Sequence, residues 1–144
     1  MAENKGRVTG IGGIFIKSNQ PKELKAWYCK HLGLVPGEYG VMFEFTAGGI
    51  QEERKFLQWS TMPTQTDYFH PSSATFMINY RVENIEAMVE YFKAEGIEVT
   101  DEIETYDFGK FVHILDPDGN KIELWEPIDS AFSKAYSNDQ TTHD

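Results

Sequence analysis

The sequence predicts an α+β domain in which one strand–helix–strands unit is used twice. Alternating apolar residues recur in short runs of strand length, which is the period-2 signal of half-buried strands. Two segments instead carry apolar residues at helical spacing, Leu24, Trp27, Tyr28, His31 and Leu32 in the first and Ile85, Met88, Val89 and Phe92 in the second. The ends of these two segments resemble each other. Leu24-x-x-Trp27-Tyr28-x4-Gly33-Leu34 stands against Met88-x-x-Tyr91-Phe92-x3-Gly96-Ile97, a weak internal repeat with a period of about 60 residues. With 144 residues, the chain suits one domain with a real core, or two small modules fused into one.

In chain order, residues 1–9 are polar and predicted to be loose, and Ile11–Ile16 is an apolar run of strand length. Asn19-Gln20-Pro21 provides a helix start with Pro at the first helical position, and Gly33 provides the stop. Val41–Thr46 and Lys55–Ser60 read as strands joined through Gly48-Gly49-Ile50-Gln51. Residues 61–74 are polar and contain two prolines, and predict a linker or mobile loop. The pattern then begins again. Thr75–Val82 alternates with Phe76, Ile78, Tyr80 and Val82 on one face, Asn84 caps the second helix and Gly96 closes it.

Phe111–Leu115 and Lys121–Trp125 flank Asp116-Pro117-Asp118-Gly119-Asn120, a dense cluster of turn residues, and together predict a β-hairpin. A two-residue turn at Asp118-Gly119 would set His113 opposite Leu124. A five-residue loop sets it opposite Glu123 and gathers Val112, Ile114, Ile122 and Leu124 on the other face. Register follows the apolar pattern, so the second arrangement is predicted, with His113, Glu123, Phe111 and Trp125 sharing a face away from the main core.

Composition excludes several classes. Forty per cent hydrophobic residues and 14% aromatics rule out a disordered chain. A net charge of −10, from 13 basic and 23 acidic residues, makes nucleic acid and anionic membrane poor partners. No apolar run reaches membrane-spanning length and the first residues carry no signal-peptide core, so a cytoplasmic protein is expected. Cys29 is alone and has no basic partner nearby in sequence, which disfavours both a disulfide and a nucleophile. Gly12-Gly13 and Gly48-Gly49 lack a phosphate-loop context and read as close-packing or turn glycines.

The closing hairpin Asp116-Pro117-Asp118-Gly119-Asn120-x-Ile122-Glu123-Leu124, together with the Trp27-Tyr28-x4-Gly33-Leu34 helix end, resembles the glyoxalase/bleomycin resistance/dioxygenase group, the vicinal oxygen chelate superfamily. The resemblance implies two βαβββ modules in a single domain over about residues 8–128: module one about 8–62, a linker about 63–73, and module two about 74–128. Residues 129–144 form a polar tail outside it, in which Phe132, Ala135 and Tyr136 fit either one docking turn or a frayed end. The resemblance further implies curved mixed sheets around a pocket, helices outside, and a homodimer.

In metal-using members the Glu of the closing strand is a ligand, which here is Glu123. The other ligand positions fall, by strand phase, at Ile11 or Gly13, at Met77, and at Gln58 or Trp59. Those side chains are poor donors for divalent Zn, Ni, Fe or Mn, so no tightly bound metal is expected; His113, or His70 from the linker, is the available substitute ligand. The expected function is a small-molecule-binding protein with a depleted metal site. One form of it is a metal-independent lyase or isomerase in which Glu123 and His113 act as an acid–base pair, flanked by Trp59, Met77, Asn79, Phe111 and Trp125 as substrate-binding residues. The alternatives are a metal-dependent lyase, dioxygenase or thiol transferase of the same group, and a non-catalytic partner-binding protein. For each single aromatic, a plain core role competes with the site role; for His31, core or interface does.

Overall fold

A computed structural model describes residues 5–37, 40–46, 54–128 and 141–142. The Gly48–Gln51 connection, Phe132, Ala135, Tyr136 and His143 lie outside the described residues. Module one runs β1 (Arg7–Ser18), α1 (Pro21–Leu32), β2 (Pro36–Gly37), β3 (Gly40–Thr46) and β4 (Arg54–Pro63). Module two repeats the order as β5 (Phe76–Glu83), α2 (Ile85–Ala94), β6 (Glu104–Tyr106), β7 (Gly109–Leu115) and β8 (Lys121–Pro127). A two-residue strand, β9 (Thr141–Thr142), pairs parallel with β3 at Phe43 and Glu44.

The sheet order is β2-β3-β4-β1-β5-β8-β7-β6. Within each module the first strand pairs in parallel with the last, β1 with β4 and β5 with β8. The two first strands then join the modules antiparallel. This is the expected pair of βαβββ units, and the sheet is open rather than closed. It is also strongly curled. Met42 on β3 and Trp125 on β8 belong to one apolar cluster with Phe56, although four strand intervals separate β3 from β8. A flat sheet would hold those strands ~19 Å apart at ~4.8 Å per strand, so the cluster marks a concave face.

The convex face of module two carries its core. Val82, Val112, Ile114 and Leu124 pack against Ile85 and Met88 of α2, with Tyr80, Val89, Phe92 and Ile122 partly buried around them. Each fully buried aliphatic contributes about 1.5–3 kcal/mol of transfer free energy. Asn84 precedes α2 in a left-handed conformation (φ 57°) and makes no side-chain cap. The Glu126 carboxylate caps instead, accepting from the Ile85 N–H at 2.9 Å. At the far end Gly96 (φ 74°) turns the chain so that the Ile97 N–H reaches the Phe92 carbonyl at 2.9 Å, the glycine stop read from the sequence.

Helix α1 departs from the expected stripe. It starts at Pro21 and stops at Gly33 (φ 74°) as expected, but none of its residues is fully buried. Leu24 and Tyr28 face the sheet, whereas Trp27 and Leu32 are more than half exposed and His31 is exposed too. Residues 7–9 also differ: Arg7 to Thr9 extend β1 rather than being loose, with Val8 opposite Val82 and the Arg7 Nε–H donating to Glu83 at 2.7 Å.

The segment joining the modules is short of regular structure, as its polarity predicted, but it is anchored. Phe69 is completely buried against Phe15 and Met77, with Met62 packed alongside. Lys121 donates to the Tyr68 carbonyl at 2.6 Å. Among the described residues, no helix is long and apolar enough to cross a membrane.

Candidate functional site

The hairpin between β7 and β8 adopts the five-residue register. His113 pairs with Glu123, Val112 with Leu124, Ile114 with Ile122 and Phe111 with Trp125. The loop is held by Asp116, whose Oδ1 accepts from the backbone N–H groups of Asp118 and Asn120, both at 2.9 Å. These bonds hold the Asp116 carboxyl below its ordinary range, first through the Asn120 side chain.

Strand pairing continues the same line across the sheet. Met42, Gln58, Gly13, Asn79, Glu123 and His113 are successive partners on β3, β4, β1, β5, β8 and β7. This row corrects two expectations. The β5 position beside Glu123 is Asn79, not Met77, which lies two residues away in the Phe69 cluster. On β4 the inward residue is Gln58. Trp59 points to the other face and packs against Tyr28 of α1, ring centroids 4.6 Å apart, because alternation along β4 allows only one of the two to face inward. Trp59 is therefore a core residue of module one.

Glu123 is 2% exposed and is held by three donors. Its Oε1 accepts from Asn79 Nδ2 at 2.7 Å. Its Oε2 faces His113 Nε2 at 2.8 Å and accepts from the Tyr68 hydroxyl. The second imidazole nitrogen, Nδ1, lies 2.7 Å from Asp101 Oδ2, and Asp101 Oδ1 accepts from the His113 backbone N–H at 2.8 Å. Both ring nitrogens thus face carboxylate oxygens, which when ionised only accept, so the doubly protonated ring satisfies every partner. Burial alone would pull the His113 pKa down. Hydrogen bonding and charge from Glu123, then from Asp101, outweigh it, and the net shift is upward from the ordinary 6.5. The Tyr68 phenol is pushed far up, first by burial and then by the Glu123 charge, so it remains protonated and donates.

A raised folded-state pKa means His113 binds its proton more tightly folded than unfolded. Its stabilisation is complete below the ordinary imidazole value and is lost as pH rises through the raised one. The stability difference between wild type and His113→Gln is therefore expected to shrink as pH rises above about 6.5, checked by urea denaturation across that range. Asp101→Asn is expected to lower the His113 midpoint, read from its ring protons by NMR.

Phe111 and Trp125 stack near-parallel (7°) at 5.8 Å, and the Trp125 indole N–H donates to the Phe108 carbonyl at 3.0 Å. With Gly12, Met42, Gln58, Asn79, Phe108 and Glu123 they line a cavity of about 40 Å³. Gly12 sits in an irregular step of β1, between Ile11 and Gly13. A Cβ there would collide with Asn79 Oδ1 and stand 2.8 Å from Trp125 and 2.9 Å from Arg81, so only glycine fits against the row.

Of the residues singled out from the sequence, Asn79, Phe111, His113, Glu123 and Trp125 come together. Tyr68 and Asp101 were missed. The Tyr68-Phe69 aromatic pair inside an otherwise polar segment was the available signal for the first; Asp101 has none in sequence. His70, the proposed substitute from that segment, is exposed, and Tyr68 occupies the place beside Glu123.

The four central positions of the row supply one carboxylate, the two amides of Gln58 and Asn79, and no side chain at Gly13. The carboxylate already accepts from three neighbours. Tight dication sites want several anionic or imidazole donors, and among the described residues no group of three or more His, Cys, Asp or Glu is arranged to hold a metal.

Comparison with solved structures finds the same fold. Methylmalonyl-CoA epimerase from Mycobacterium tuberculosis is 19% identical with a TM-score of 0.58, covering 88% of this chain and 93% of that one. Streptomyces coelicolor methylmalonyl-CoA epimerase in complex with 2-nitronate-propionyl-CoA is 14% identical with a TM-score of 0.59, covering 84% and 99%. The NAD-dependent benzaldehyde dehydrogenase structure from Legionella pneumophila is 14% identical with a TM-score of 0.52, covering 81% and 98%. No curated protein matches the chain. Residues 10–124, from the first strand through the hairpin, match the sequence profile of one family. The chain belongs to the Glyoxalase/Bleomycin resistance protein/Dioxygenase superfamily.

Proposed function

We propose that this protein binds a small organic molecule at the concave face and does so without a metal ion. The observation that carries the reading is the set of donors on Glu123: the residue at the position of the family's metal-binding Glu is held by Tyr68, Asn79 and His113. Aromatic walls supply stacking area, and a few converging polar groups fix orientation, which is how small-molecule sites are built. The cavity of about 40 Å³ admits a head group only. The rest of the ligand lies over Phe108 and Tyr106, which stack at 5.6 Å on the rim and are both substantially exposed.

A second reading, metal-independent lyase or isomerase chemistry, is favoured by the chain Asp101–His113–Glu123. The Asp101 side chain is 31% exposed while Glu123 is buried, so the chain links a buried carboxylate to solvent through an imidazole. Such a base–orienter arrangement supports proton transfer to or from a bound carbon or oxygen acid.

The test of the binding reading is a small-molecule screen followed by the Trp125 indole N–H signal in NMR, assigned with Trp125→Phe. Ligands that move it are expected to lose at least tenfold in affinity in Trp125→Ala. Binding that leaves Trp125 untouched and survives the substitution would place the ligand elsewhere. For the catalytic reading, turnover of any ligand found is expected to fall more in Glu123→Gln than its affinity does.

A further inference from the structure

We infer that the head group admitted by this cavity is a primary ammonium. The inference rests on the small-molecule reading above and adds the chemical class of the ligand. Its starting point is an unsatisfied atom. Asn79 is 3% exposed and its Oδ1 has no hydrogen-bond partner, the one buried side-chain polar atom so left among the described residues. The amide is not reversed, because its Nδ2 must face the acceptor-only Glu123 carboxylate at 2.7 Å. A buried acceptor without a donor keeps the cost of its lost hydration uncompensated.

Asn79, Glu123 and Gln58 all line the cavity. Among the described residues Glu123 Oε1 accepts from Asn79 alone, which leaves it a second lone pair. Asn79 Oδ1 and the open lone pair of Glu123 Oε1 are thus acceptors in want of N–H or O–H donors, beside aromatic walls whose faces favour positive charge. Its size of about 40 Å³ suits one small polar group, since a water molecule occupies about 30 Å³. Phe108, the most exposed lining residue at 39%, marks where an alkyl tail leaves.

Charge decides between a neutral donor and a cation. Glu123 and Asp101 carry two negative charges against one on the His113 imidazolium, a net −1. Arg81, on the same face of β5, directs its guanidinium to the Phe56 carbonyl at 2.7 Å and over the Trp125 ring at 5.1 Å. Glu44 is buried on the same face of β3 as Met42, supplying a negative charge in that quarter. A water would satisfy the amide oxygen and leave the excess charge. An ammonium satisfies both, and an anionic head meets Glu123 without a donor.

The test titrates the full-length protein with n-butylammonium, n-butanol, butyrate and n-butyltrimethylammonium, following the Trp125 indole N–H. Butylammonium is expected to bind at least tenfold tighter than the other three, because butanol lacks the charge, butyrate reverses it, and the quaternary ion lacks N–H donors and exceeds the cavity. Glu123→Gln is expected to weaken butylammonium at least tenfold and leave butanol within a factor of two. Equal or tighter binding of butanol or butyrate at Trp125 would overturn the ammonium inference while leaving a small-molecule site in place. Equal binding of the quaternary ion would overturn the N–H argument. If none of the four moves Trp125, the inference fails, and the broader reading then stands or falls on the screen.

Discussion

Glu123→Leu is expected to lower the unfolding free energy by about 3–5 kcal/mol, because it removes one partner of a buried charged network and leaves the rest in place. The His113 imidazolium would then face Asp101 alone, while Asn79 Nδ2 and the Tyr68 hydroxyl would lose their acceptor. Leu nearly matches Glu in volume, so the loss reports the polar network rather than a cavity. Urea denaturation at pH 6, where the His113 contribution is complete, gives the number through a shifted midpoint with an unchanged slope. A loss below about 1 kcal/mol would mean that Glu123 is not the hub of the network.

The second large effect lies in the segment that reads as a linker. Phe69→Ala is expected to cost about 3–5 kcal/mol, the range for emptying a fully buried aromatic site. Phe69 is 0% exposed, wedged against Phe15 and Met77 between the two first strands. Its neighbour Tyr68 is placed on Glu123 by that anchor, with the Lys121 ammonium 5.4 Å over the Tyr68 ring and bonded to its carbonyl. The variant should therefore also disturb the His113 ring signals, which Tyr68 meets edge-on at 5.5 Å. Tyr68→Phe, which keeps the ring and removes the hydroxyl, should disturb those signals with a smaller stability loss. If Phe69→Ala is as stable as wild type, the segment is the mobile linker that its composition suggested.

What was legible in the sequence was local and periodic. Aliphatic residues at 112, 114, 122 and 124 could gather on one face in only one hairpin register, so the His113–Glu123 pairing followed from alternation alone. The two helix stops followed from Gly33 and Gly96, both at positive φ. What was not legible depends on contacts between distant strands. Whether Gln58 or Trp59 faces inward is set by the partnering of β4 with β1, where Gly13 meets Gln58. The choice of Asn79 over Met77 is set by the parallel register of β5 on β8. Tyr68 reaches Glu123 across 55 residues and Asp101 reaches His113 across 12, separations that carry no periodic signal. The wide α1 stripe misled for another reason: spacing identifies a helical face, but not how deeply it is buried.

We propose that a carboxylate held by three protein donors, rather than by a metal ion, organises this site. Elemental analysis of the full-length protein, purified without a chelating tag, incubated with Zn, Ni, Fe and Mn in turn and then desalted, tests it most directly. Far less than one metal ion per chain is expected in every case. A value near one per chain that disappears in Glu123→Gln would contradict it and return Glu123 to the role of a metal ligand.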